Sequence, residues 1–223
     1  MGLRSRFFAF TYDRFSKGME EAGLAEMRRN MIAGASGDVL EIGGGTGANL
    51  GYYGDGVGSV TVTEPEPPML KRLQRKAREQ SSQATVLRAP AEDLPFEDAS
   101  FDTVVSTLVL CGVDDQPRAV RELRRVLRPG GRLIFIEHVR SDDPRKAKMQ
   151  DRMNPLNRFM VCCDCNRPTL DTIRSAGFEV TELEQTELPK APPFVRPLIV
   201  GTATAPSDRS AVRQIQGAQG HGS

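Results

Sequence analysis

The run Glu41-Ile42-Gly43-Gly44-Gly45-Thr46-Gly47 is where this chain most plainly prepares to hold a small molecule. Glycines accept left-handed backbone angles and carry no Cβ, so a turn built from them lets the main chain approach a ligand closely. Gly43, Gly45 and Ala48 satisfy the G-x-G-x-x-G/A spacing of a dinucleotide loop. Glu64, about twenty residues on, stands where a carboxylate can hold ribose hydroxyls. The glycines by themselves leave the ligand open, although a nucleoside triphosphate is disfavoured because no Gly-Lys-Ser/Thr follows. Farther along, Glu137 and His138 close an apolar run. An imidazole there can accept a proton from a bound reactant or orient a neighbouring group. Cys162 and Cys165 have the spacing of metal ligands, but a structural zinc site needs a second pair, and the histidines His138 and His221 lie far apart in sequence. No bound metal is expected, and Cys111, Cys162, Cys163 and Cys165 read as free thiols.

These residues need elements to position them. Residues 38–42 read as a short buried strand running into the glycine turn, with a helix expected next. Residues 59–64 form a second strand stopped by Pro65, and Pro67-Pro68 can open a helix because a proline in the first turn forfeits only an unpaired amide. Residues 84–88 are a weak third strand, and 101–110 contain a stronger fourth. Asp114 or Asp115 can cap the following helix, which Pro129-Gly130-Gly131 ends. A fifth strand over 132–139 carries His138 to its carboxyl end. A polar insertion from 141 to about 153 precedes a helix near 169–176 and two closing strands, 178–183 and 196–203.

Strands alternating with helices imply parallel pairing through right-handed crossovers. The expected architecture is α/β, with a mostly parallel seven-stranded sheet and helices on both faces. Residues 1–37 read as an N-terminal helical segment or lid with an aromatic stripe of Phe8, Tyr12 and Phe15, 38–205 as one domain, and 206–223 as a disordered tail. With 223 residues, 39% apolar and 26% charged, the chain has the balance of one large globular domain. A net charge of +1 without a long run of like charge gives no basic face for a polyphosphate backbone, so nucleic acid is not an expected partner. No run of about 18 apolar residues occurs, so stable membrane insertion is not expected and a cytoplasmic location is.

Four motifs add a family. Val39-Leu40-Glu41-Ile42-Gly43-Gly44-Gly45-Thr46-Gly47, Ala91-Glu92-Asp93-Leu94-Pro95-Phe96, Ser100-Phe101-Asp102-Thr103-Val104-Val105 and Arg124-Arg125-Val126-Leu127-Arg128-Pro129-Gly130-Gly131 occur in the order seen in class I methyltransferases, which the chain resembles over roughly residues 39–139. The resemblance implies a Rossmann-like fold and S-adenosyl-L-methionine as cofactor. It further implies that Gly43, Gly45 and Gly47 line the amino-acid end of the cofactor, Glu64 the ribose hydroxyls, Pro65 the adenine face and Ala91 with Glu92 the adenine edge. Glu41 and Thr107 complete the implied cofactor-binding set. One position departs: the family often has an aspartate just before the Ala-Glu pair, and Pro90 stands there instead.

A narrower set, Thr107-Leu108-Val109-Leu110-Cys111, Glu137-His138-Val139, Asp164-Cys165-Asn166 and Val195-Arg196-Pro197-Leu198-Ile199-Val200-Gly201, resembles the methyltransferase-like seven group. Its animal members methylate alkyl thiols and carry an N-terminal membrane anchor; no equivalent apolar run is expected to act as one here. The resemblance implies a small-molecule acceptor, a thiol by preference, with His138 as catalytic residue. C- or O-methylation of a quinone, phenol or polyketide-type metabolite is the alternative, since the Ala91–Phe96 motif is also similar to ubiquinone and menaquinone methyltransferases. A cofactor-binding module without catalysis is the reading from another class. Methyl transfer needs a nucleophile aligned behind the methyl carbon, so proximity and alignment are the main demands on the protein.

Overall fold

The computed structural model describes residues 17–80 and 82–207. The aromatic stripe of Phe8, Tyr12 and Phe15, and the tail from 208 on, lie outside the described residues. Among those described, the strands are β1 (Gly37–Ile42), β2 (Val57–Thr63), β3 (Thr85–Leu87), β4 (Phe101–Thr107), β5 (Leu127–His138), β6 (Glu179–Glu187) and β7 (Pro197–Thr204). The helices are α1 (Ala25–Ile32), entered through a π-helical turn at Glu20–Leu24, α2 (Pro67–Glu79), α3 (Gln116–Val126), α4 (Pro144–Val161) and α5 (Thr169–Ser175).

These strands make one sheet in the order β3-β2-β1-β4-β5-β7-β6, with β7 antiparallel to both neighbours and the other pairs parallel. The central strands are short apolar runs because both faces are covered. Alternate residues serve opposite faces. Leu40, Val104, Leu133 and Phe135 join Ala119, Leu123 and Ile173 of α3 and α5, whereas Val39, Val105 and Ile134 pack with Ile32 of α1. The chain leaves β1 toward β2 on one side and returns to β4 on the other, so a crevice opens at the carboxyl ends of β1 and β4. The expected parallel sheet with helices on both faces is the one observed.

Three local expectations are corrected. No helix follows β1: residues 45–51 are consecutive turns, because Gly45 and Gly47 hold left-handed angles that a helix cannot use. Pro129-Gly130-Gly131 does not separate helix from strand but lies within β5 as an irregularity in its pairing with β4. The expected polar insertion is mostly the 18-residue helix α4, capped by the Asp143 carboxylate and started by Pro144. Its buried positions are Ala147, Gln150 and Asn157, so it has no apolar stripe to betray it. Gln150 instead donates to the carbonyls of Val139 and Cys165, and Asn157 to that of Cys163.

Candidate active site

The glycine turn closes the carboxyl end of β1. Gly43, Gly45 and Gly47 all have left-handed φ, at 57°, 57° and 84°. A Cβ on Gly43 would stand 2.6 Å from Val109, while one on Gly45 would meet only the Gly43 carbonyl oxygen, at 3.9 Å. Gly43 is therefore glycine because Val109 lies on it, and Gly45 faces open space. Glu64, just past β2, accepts from the Gly45 amide at 2.9 Å and the Glu66 amide at 2.9 Å. Burial raises its pKa against those two hydrogen bonds. Pro65 follows it, half-buried, and Ala91 is buried beside a half-buried Glu92 whose carboxylate accepts from the Asp114 amide.

Beneath the turn lies a polar network of which the sequence singled out only Glu41 and Thr107. Glu41 is buried, with one oxygen accepting from Asn49 Nδ2 at 2.9 Å and the other from the Tyr53 hydroxyl at 2.6 Å. Burial raises its pKa and that of Tyr53. Arg28 of α1 is also buried and donates to Asn49 Oδ1 at 2.9 Å, Thr107 Oγ1 at 2.8 Å and Glu20 Oε1 at 3.0 Å. Glu41 and Thr107 thus meet through Asn49, which also donates to the Thr107 hydroxyl. The signal that could have found this network is the Arg28-Arg29 pair, whose first member falls on the apolar face with Leu24 and Ile32.

A second buried polar cluster is built from the ends of β4 and β5. Leu108 follows β4 with φ 60°, a strained angle for a branched residue. That turn aims the amides of Val109 and Leu110 at the buried Glu137 carboxylate, at 3.0 and 3.1 Å, while the Ser106 hydroxyl donates at 2.6 Å. Burial nevertheless pushes the Glu137 carboxyl up to about 7. His138 is buried next to it, and burial takes its imidazole down to about 4 despite the main-chain carbonyls of Pro197 and Val195. One ligand-type atom from each of Cys111, His138 and Cys163 lies within 4.8 Å of the other two. Asp164 accepts from Asn154, Arg158 and Arg167, and is an ion-pair hub behind this cluster. A surface cleft lined by Arg140, Asp143, Lys146, Asp171 and Glu187 shares none of the glycine-turn residues.

The sheet order and glycine turn are those of the Rossmann-like class I methyltransferases, and the methyltransferase domain family matches residues 40–135. A solved S-adenosylmethionine-dependent methyltransferase of Thermotoga maritima, described as a possible histamine N-methyltransferase, superimposes with a TM-score of 0.68 at 24% identity, over 90% of this chain and 97% of that one, and establishes the fold. The thiol S-methyltransferases TMT1A and TMT1B of Homo sapiens are 35% and 38% identical, each over 77% of this chain and 73% of their own. A ubiquinone/menaquinone biosynthesis C-methyltransferase of Hahella chejuensis is 39% identical over a shorter stretch, 53% of this chain and 49% of its own. The chain belongs to the S-adenosylmethionine-dependent methyltransferases, in the family of these thiol S-methyltransferases. It is an enzyme that moves a methyl group from S-adenosyl-L-methionine to an acceptor. No helix among the described residues is long and apolar enough to cross a membrane.

Proposed function

We propose that this enzyme methylates the sulfur of a small thiol. The observation that carries the reading is the identity of 35–38% with proteins named thiol S-methyltransferases, sustained over 77% of the chain. The ubiquinone/menaquinone-type relative matches only 53% of it.

In this reading the amino-acid end of the cofactor lies against Gly43, Gly45 and Gly47, the ribose on Glu64, and the adenine between Pro65 and the Ala91-Glu92 edge. Glu41 and Thr107 support the turn from below. The amides already bonded to Glu64 do not prevent this, since each carboxylate oxygen has two lone pairs and can accept a ribose hydroxyl as well. When bound, S-adenosyl-L-methionine supplies an electrophilic methyl group on a good leaving sulfur. The protein must then hold the acceptor in line and dispose of its proton. His138 faces the acceptor as a neutral imidazole with a single unprotonated nitrogen to offer. With its imidazole near 4, it does not keep a proton at neutral pH. The four cysteines are unpaired, which suits a reducing compartment such as the cytoplasm. The reading includes residues 1–37 as an N-terminal segment, whose described part meets Asn49 and Thr107 through Arg28, and a small-molecule rather than nucleic-acid acceptor.

The test is a panel of alkyl thiols, phenols and quinones incubated with labelled S-adenosylmethionine, with the methylated atom identified by mass spectrometry. S-methylation of an alkyl thiol is expected. Turnover of phenol or quinone but not thiol would move the acceptor to oxygen or carbon. Cofactor binding by calorimetry without turnover of any acceptor would favour a binding module.

A further inference from the structure

We infer that Cys111, Cys163 and His138 form a three-ligand site for a soft divalent cation, zinc by preference, with a fourth position left open. The three side chains come from separate places: the loop after β4, the connection after α4 and the carboxyl end of β5. Their ligand atoms nevertheless converge, each within 4.8 Å of the others. Tetrahedral zinc, with bonds of about 2.3 Å to sulfur and about 2.0 Å to nitrogen, needs ligand atoms about 3.5–3.8 Å apart, a closure of at most about 1 Å.

The convergence is enforced by the chain. The Asp164 amide donates to the Cys111 carbonyl at 2.8 Å, and Asn157 donates to the Cys163 carbonyl at 2.7 Å, which docks the connection against the loop. Glu137 grips the two amides immediately before Cys111. His138 contributes the independent sign: among the described residues, its Nδ1 is the one buried side-chain nitrogen or oxygen without a hydrogen-bond partner. A buried polar atom left so costs free energy, and metal coordination would satisfy it. The main-chain carbonyls of Pro197 and Val195 act on the imidazole against burial, and backbone acceptors are the kind of group that orients a ligating histidine.

Charge also balances, since two thiolates and a neutral imidazole cancel a divalent ion and leave the buried cluster uncharged. The sequence pair Cys162 and Cys165 is not this site. Cys162 is exposed, and the buried Cys165 sulfur contacts Asn154 at 3.6 Å. Three protein ligands and an open fourth position are the pattern of a zinc site that takes water or a substrate atom. That the open position suits a thiol acceptor rests on the proposed function; metal binding itself does not.

The decisive experiment titrates the full-length, phosphine-reduced, metal-free protein with Co²⁺ and then Zn²⁺, in the absence of S-adenosylmethionine. One equivalent of Co²⁺ should bind with thiolate-to-metal charge-transfer bands that zinc abolishes. A small alkyl thiol should shift those bands. Cys111→Ser, Cys163→Ser and His138→Ala should each weaken binding by at least about 100-fold, whereas Cys162→Ser should not. Because Cys163 is only half-buried, its serine variant is the most secure in folding of the three ligand variants, and calorimetric binding of S-adenosylmethionine reports the fold of all four. Failure to bind stoichiometric metal, or an affinity unchanged by Cys163→Ser, overturns the site. Bands indifferent to added thiol overturn the open position. None of these results bears on the acceptor panel, whose failure would in turn leave metal binding untouched.

Discussion

The two sides of the crevice reach the same left-handed backbone by different residues. On the side proposed for the donor the positions are glycines, Gly43, Gly45 and Gly47, whereas on the side proposed for the acceptor they are Leu108 and Cys162, with φ of 60° and 57°. A glycine takes that angle freely; a side chain there costs roughly 1–2 kcal/mol. The buried carboxylates differ in parallel. Glu41 is held by the side chains of Asn49 and Tyr53, and Glu137 by two backbone amides and Ser106. The donor side keeps its main chain bare for a ligand, while the acceptor side accepts strain in order to aim its amides inward.

That contrast is tested most severely at Glu137. Glu137→Ala leaves the amides of Val109 and Leu110 buried without an acceptor, and at about 1–3 kcal/mol for each group the loss should come to about 4 kcal/mol in urea unfolding. Glu41→Ala releases side chains that can turn to each other or to water, and should cost about half as much. Equal losses would erase the distinction. The pH dependence carries a sign as well. Glu137 has a folded pKa of about 7, above its ordinary 4.5, so its contribution is complete below about pH 4.5 and is lost as pH rises through 7. Relative to Glu137→Gln, the wild type should therefore lose about 3 kcal/mol between those limits. A difference that grows with pH instead would mean that the amides outweigh burial.

Gly43 and Gly45 should part company under the same substitution. Gly43→Ala adds a methyl 2.6 Å from Val109 to a left-handed position, and about 2–3 kcal/mol of stability should go with it. Gly45→Ala meets open space and should cost only the backbone strain, about 1 kcal/mol. Its larger effect should fall on S-adenosylmethionine affinity measured by calorimetry. If Gly45→Ala binds the cofactor as tightly as wild type, the open space in front of it is not where the cofactor lies.

Glu64→Ala should weaken S-adenosylmethionine binding by about 10- to 100-fold, the loss of a charge-assisted hydrogen bond of roughly 1.5–3 kcal/mol. Because Glu64 also ties down the Gly45 amide, Glu64→Gln is the sharper probe: it can still accept from that amide while losing the charge. Affinity restored to the wild-type value in Glu64→Gln would assign the residue to holding the turn, not the ribose.

The glycine turn and the elements flanking it were largely legible because their determinants are local. The residues from Glu41 to Gly47 are contiguous, Pro65 marks the end of β2, and Asp115 does cap α3 by accepting from the Arg118 amide. The acceptor side was legible only in pieces. His138 could be placed at a strand end, but nothing in sequence brings Cys111 and Cys163 to it across two connections, and the CxxC spacing drew attention to Cys162 and Cys165 instead. Helix α4 escaped because polar residues, Gln150 and Asn157, do its packing through hydrogen bonds to neighbouring carbonyls. Arg28 escaped because an arginine in a charged amphipathic segment reads as solvated, whereas here it is buried against Asn49 and Thr107.

The smallest expected effect probes the acceptor side's use of residues other than glycine. Cys162 caps α4 in a left-handed conformation, its amide donating to the Arg158 carbonyl, and its side chain is exposed. Glycine is the residue that ends a helix this way without steric cost. Cys162→Gly should remove about 1–2 kcal/mol of local strain and return part of it as added freedom of the unfolded chain, roughly 0.5–1 kcal/mol. The net gain should be about 0.5 kcal/mol, or roughly 1–2 °C in Tm for a domain of this size. If the variant is instead less stable, the Cys162 side chain makes contacts that outweigh its strained angle. The acceptor side would then be using that residue for packing rather than tolerating it, and the contrast with the glycines of the donor side would narrow to Leu108 alone.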